Sequence, residues 1–229
     1  AESLSKEDHD ALLITALDSL CWLFNVRGAD VEHTPLVLAS ALLFTDGRAV
    51  LFVDQGKVTD DVVTHLGSDV TVNPADGLGA AIDALDKTVK TIAVDKATVS
   101  QWAADRLEAA DLTVVSIEDP CSLPKACKNE TEINGIRAAH VRDGAALTQF
   151  LAWLDQEAPS GALTEMTAAD QLERFRRRDN MLQGLSFPTI SGAGANGAIV
   201  HYRATPETDA AITGDMLFLV DSGGQYLDG

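Results

Sequence analysis

The sequence predicts an α/β protein in two domains, on three observations. Between Ala11 and Ser116, short β-rich runs alternate with amphipathic stretches. Pro120 and Pro124 then interrupt that pattern. Beyond them, two long stretches of helical period give way after Gly184 to strand-like segments. The domains are accordingly placed at residues 1–122 and 123–229.

In the first domain the β-rich runs are 12–15, 35–44, 49–53, 70–72, 91–94 and 112–115. Val, Leu, Ile and Trp recur at helical spacing over 59–65, 78–85 and 97–110. Thr45, Asp46, Gly47 and Arg48 supply a hairpin turn, because Asp-Gly tolerates positive backbone angles. In the second domain Asn129 followed by Glu132 reads as a helix cap, with Ile133, Ile136, Leu147, Leu151 and Leu154 marking one long helix up to Pro159. A further helix is placed from Thr167, with Thr-x-x-Asp ending at Asp170 and Leu172, Phe175, Met181 and Leu182 on its apolar side. Residues 198–202 and 216–220 read as strands separated by a turn region at 206–214.

Composition excludes several classes of function. A content of 46% hydrophobic residues suffices for a real core. The 17 basic residues against 35 acidic ones give a formal charge of −18, so nucleic acid and anionic membrane surfaces are repelled. Apolar runs such as 35–44 fall short of the roughly 20 residues a membrane-spanning helix needs. Cys21, Cys121 and Cys127 offer no zinc spacing and read as the reduced thiols of a cytoplasmic protein. The chain begins at Ala1 without a signal peptide and stops at Gly229 directly after a strand pattern, so both ends are expected to belong to a longer protein.

Two motifs bear on chemistry. Gly192, Gly194 and Gly197 satisfy Gly-x-Gly-x-x-Gly, but the strand-like sequence that follows provides no helix N-terminus for a pyrophosphate, so a glycine-rich turn beside a ligand site is expected instead. Leu217 to Gly223 place Asp221 at the end of a buried strand. Three readings stand for that carboxylate: a turn cap, the Asp-Ser-Gly of an aspartic protease, or a hard oxygen ligand for a divalent ion. The helices at 129–159 and 167–182 argue against the second.

Phe218 to Gly229 resemble the first metal-binding strand of the aminopeptidase P and prolidase family, and Phe187 to Gly192 with Asn196 to Tyr202 resemble the segment before it. Trp22 to Pro35 resemble the second domain of the three-domain, cytosolic-type Xaa-Pro aminopeptidases, and Lys128 through His140 and Asp143 resemble the opening helix of their catalytic domain. The resemblance implies a creatinase/prolidase N-terminal-like α/β domain followed by the first part of a pita-bread metallopeptidase domain of family M24. It implies a hydrolase that releases the residue before a proline at position two, using two Mn2+ ions, with Zn2+ the alternative metal.

By the same resemblance Asp221 is a metal ligand, and His201 is a catalytic and substrate-binding group. An imidazole suits that role because its ordinary pKa of about 6.5 lies near working pH. The next ligand, another aspartate, would fall three residues past Gly229, so this chain alone is expected to be inactive; Asp228 does not replace it. His9, His33, His65 and His140 are read as structural, Trp22 as core or, with Arg27, as a positioning group over the cleft. Peptides are the implied substrates, a homodimer the implied assembly and the cytoplasm the implied location. A prolidase, a metal-free creatinase-like hydrolase and a non-catalytic scaffold are the alternatives.

Overall fold

The computed structural model describes residues 2–229, which divide into one unit ending at Cys127 and another beginning at Lys128. In the first, helices α1 (Glu2–Lys6), α2 (Leu17–Phe24), α3 (Asp60–Leu66), α4 (Leu78–Asp83), α5 (Gln101–Ala109) and α6 (Ser122–Ala126) accompany six strands. The strands β1 (Ala11–Ile14), β2 (Ala39–Phe44), β3 (Ala49–Val53), β4 (Val70–Pro74), β5 (Thr91–Val94) and β6 (Thr113–Ser116) form one mixed sheet in the order β4-β3-β2-β1-β5-β6.

All four residues of β1 are buried, which explains its unbroken Ala-Leu-Leu-Ile: both faces of the sheet are covered. Leu12 and Ile14 pack with Leu20, Cys21 and Phe24 of α2, whereas Ala11 and Leu13 pack with Leu78 and Ile82 of α4 and Ala103 and Leu107 of α5. The two-residue period of the strand thus feeds two apolar layers. The expected hairpin joins β2 to β3, with Asp46 Oδ1 accepting from the Arg48 N–H at 3.0 Å. Helix α5 starts later than 97, because Asp95 holds 97–99 in a turn and the Ser100 hydroxyl accepts from the Ala103 N–H. Helix α2 had no sequence expectation at all: it carries Leu, Cys, Trp and Phe beside a strand-like run, and burial rather than propensity decides its form.

The second unit holds α7 (Glu130–Glu157), α8 (Glu165–Arg176), β7 (Leu182–Leu185), β8 (Ile190–Ala193), β9 (Phe218–Asp221) and β10 (Gly224–Tyr226). The cap predicted for α7 is present on both sides: the Glu132 N–H donates to Asn129 at 2.9 Å and the Asn129 N–H to Glu132 at 2.8 Å. Ala146 and Phe150 of α7, Ala168, Leu172 and Phe175 of α8, and Ala193, Phe218 and Val220 of the strands share one core. Strand β8 pairs antiparallel with β9, and β7 with β10.

Three expectations need correction here. Helix α8 is capped by Thr164 rather than Thr167; Thr167 is instead the third helical residue, whose hydroxyl accepts from the Thr164 N–H. The helix ends at Arg176, so Met181 and Leu182 lie outside it, and Leu182 opens β7. Residues 198–202 form no strand: Gly194–Ala198 is a 3₁₀ turn, and His201 sits at φ +54°, outside the extended region. The β-branched pair Ile199 and Val200, 54% and 82% exposed, pairs with no strand among the described residues to reward its propensity.

Candidate metal and substrate site

Asp221 ends β9, but the strand is not buried as its sequence suggested. Phe218 and Val220 face the core, while Leu219 on the other face is 43% exposed and Asp221 shares that face. The Asp221 carboxylate makes no hydrogen bond or ion pair with the described residues. Gly223 lets the chain leave the strand closely: a Cβ there would lie 2.3 Å from the Ser186 Oγ.

The 3₁₀ turn lies across this same face. Gly192 is the β8 partner of Leu219, and a Cβ on Gly192 would come within 2.9 Å of the Gly197 backbone; a Cβ on Gly197 would touch that of Leu219 at 3.4 Å. Only glycine at 192 admits that crossing. His201 follows this turn, three residues beyond its end at Ala198. No hydrogen bond or ion pair joins His201 to Asp221 among the described residues, and His201 is exposed.

Two buried charge networks hold this framework. The Arg176 guanidinium, 1% exposed, donates to Asp143 at 2.7 and 3.1 Å, and the Tyr226 hydroxyl of β10 donates to the same carboxylate at 2.8 Å. Burial pushes the Asp143 carboxyl up, but Arg176 and Tyr226 pull it further down, so it stays below the usual aspartate range. Glu165, the first residue of α8, is fully buried and accepts from Ala193, Asn196, Tyr202 and Ala210. There too burial raises the pKa and the donors outweigh it, leaving a net lowering.

A single free carboxylate with hard oxygens fits one ligand position of a divalent ion. It does not make a site alone: among the described residues no three His, Cys, Asp or Glu side chains converge to hold a metal. Among the described residues no helix has the length and apolarity to cross a membrane.

The family model described as Creatinase/Prolidase N-terminal domain matches residues 1–132, more than half the chain. The chain belongs to the creatinase/prolidase family. Its remaining part, residues 134–229, matches Metallopeptidase family M24. The chain is similar to a protein of Neosartorya fischeri named "Probable Xaa-Pro aminopeptidase P", at 39% identity over 236 residues, covering 100% of this chain and 36% of that protein. Among solved structures it resembles the X-prolyl aminopeptidase of Caenorhabditis elegans, described as a cytosolic enzyme with a di-nuclear active site, with TM-score 0.90 and 29% identity over 100% of this chain and 38% of the other. The X-Pro aminopeptidase of Thermotoga maritima shares the fold at TM-score 0.74 and 23% identity, over 98% of this chain and 60% of that one. The creatinase/prolidase chain described here thus spans little more than a third of the length of the curated relative.

The Asp228 carboxylate pairs with Arg142, which also meets Asp179 at 2.6 Å. Of the remaining histidines, His65 bonds to the distant Phe24 carbonyl at 3.0 Å and His140 to that of Ile136 one turn away at 2.9 Å, while His9 and His33 lie beside Glu7 and Glu32. Trp22 is half-buried against the first unit's core. Glu165 was missed by sequence reasoning, since the helix was placed from Thr167 and Glu165 then fell in the connection before it. The one available signal was the Thr164-Glu165 pair opening an apolar stripe.

Proposed function

We propose that this chain is the creatinase-like domain and the opening part of the pita-bread domain of a metal-dependent aminopeptidase that cleaves Xaa-|-Pro bonds at peptide N-termini. The observation that carries the reading is the free Asp221 carboxylate on the ladder face crossed by the 3₁₀ turn that precedes His201, in a chain aligned from end to end with proteins of that name. Asp221 serves as one ligand of a dinuclear centre, with Mn2+ the favoured metal and Zn2+ the alternative, and the other ligands come from sequence beyond these 229 residues. The metal, when bound, supplies an acidified water near neutral pH. His201 contacts the peptide beside the scissile bond and holds or moves a proton at its ring nitrogen. Proline specificity follows from shape, since a rigid ring without an amide N–H suits an apolar pocket. The assembled enzyme works as a homodimer in the cytoplasm.

The test is cleavage of Arg-Pro-Pro by the longer protein loaded with Mn2+, alongside the 229-residue chain alone. Release of free arginine by the first and not by the second is expected. Cleavage by the short chain would overturn the ligand assignment, and a longer protein that hydrolyses only dipeptides or creatine would move the activity to another branch of the fold.

A further inference from the structure

Glu165 takes no part in the chemistry proposed above, yet it touches both flanks of His201. One carboxylate oxygen accepts from the Ala193 N–H at 2.7 Å and the Asn196 side-chain amide at 2.9 Å; the other accepts from the Tyr202 hydroxyl at 2.7 Å and the Ala210 N–H at 3.2 Å. The first pair lies upstream of His201 and the second downstream. Between them His201 holds φ +54°, a left-handed conformation that a residue with a Cβ keeps only where its surroundings fix it. Tyr202, the very next residue, is 6% exposed, so its buried ring and bonded hydroxyl set where the chain goes after the imidazole.

The residue type matters. All four groups facing Glu165 can donate, and an ionised carboxylate is the side chain that accepts from every one of them. A glutamine would turn an NH2 toward donors and leave at least one of them unsatisfied. An acidic residue serving only the helix dipole needs no such burial, and its oxygens face water.

We propose that Glu165 is a positioning residue for His201: by gripping the 3₁₀ turn on one side and Tyr202 on the other, it fixes the backbone that presents the imidazole to the peptide. This rests on the reading of His201 as a substrate-side group. Two variants test it, Glu165→Gln and the milder Tyr202→Phe, each made in this chain and in the longer metal-loaded protein. In this chain both are expected to keep the far-ultraviolet circular dichroism while the His201 ring signal in a proton–carbon NMR spectrum shifts or splits and that of His65 stays in place. In the longer protein, with rates normalised to bound metal, kcat for Arg-Pro-Pro is expected to fall at least about tenfold in Glu165→Gln with KM within about threefold, because misplacing a reacting group weakens the reacting geometry more than the binding. A folded Glu165→Gln chain with an unmoved His201 signal and undiminished kcat would overturn the proposal. Should that variant not fold, the same two readouts in Tyr202→Phe decide. If the unsubstituted longer protein cleaves nothing, the peptidase reading fails, and the His201 signal alone judges the positioning role.

Discussion

In the first unit, β1 buries every residue between two apolar layers, and the largest fully buried side chains there, Phe52, Leu13, Leu20, Leu42, Ile82, Ile92 and Leu107, are all hydrocarbon. In the second, Arg176 and Glu165 stand among the largest fully buried side chains beside Phe150, Leu172 and Ile212, and the strands come as two-stranded ladders rather than one sheet. The first is stabilised chiefly by area removed from water, which needs no partner and depends little on pH. The second ties its short strands to its helices through charges that are stable only while each has its counterpart. The cost of a substitution in either unit therefore depends on what is left behind, a cavity or an orphaned charge.

The largest effect is expected from Asp143→Ala, which strands Arg176 in the core of the second unit. A loss of about 3–5 kcal/mol follows for a broken buried pair, and a double change that also replaces Arg176 with Met recovers much of it. Urea unfolding followed by Trp153 fluorescence, in a background where Trp22 and Trp102 are Phe, measures this. Unfolding unchanged by Asp143→Ala would mean the charges contribute little.

Leu13→Ala in the first unit is expected to cost about 2–5 kcal/mol through a cavity. That loss should be the same at pH 5 and pH 7 and at low and high salt, as read by Trp22 or Trp102. A strong salt dependence would contradict the apolar account of this unit.

Acid provides a smaller, graded effect. Folded Asp143 and Glu165 both titrate below their ordinary values of 3.8 and 4.5, so their contribution is complete above about pH 4.5 and is lost as pH falls through the lowered values. The first unit also has lowered carboxyls, Asp10 through the Lys90 and Thr91 N–H groups and Asp18 through Lys125, but these lie nearer solvent. On acidification the Trp153 signal should therefore change at higher pH than the Trp22 and Trp102 signals. Coincident transitions would remove the distinction between the units.

Asp221→Asn should be the smallest change in stability, within about 0.5 kcal/mol, since the carboxylate is exposed and unpartnered among the described residues. In the longer protein the same substitution is expected to weaken Mn2+ binding measured by calorimetry. A marked loss of stability without any change in metal binding would return Asp221 to the role of a turn residue.

Local sequence determined much of this protein. The alternation of β-rich runs with amphipathic stretches located all six strands of the first sheet, Asp46-Gly47 located its hairpin, and the Asn129/Glu132 box located the start of α7, because in each case the signal and the structure involve residues a few positions apart. The Phe218 to Gly223 pattern likewise placed Asp221 at a strand end. Only the tertiary structure decided the rest. Ile199 and Val200 have strand propensity, yet the segment turns at His201 because Glu165, 36 positions earlier, offers a buried anion to Tyr202 and Asn196. Arg176 and Asp143, 33 positions apart, look solvent-exposed in sequence and meet in a core only once α7 and α8 pack. A propensity is a preference of a short segment in water; a buried carboxylate surrounded by donors gathered from distant positions outweighs it, and no local pattern announces where those donors will meet.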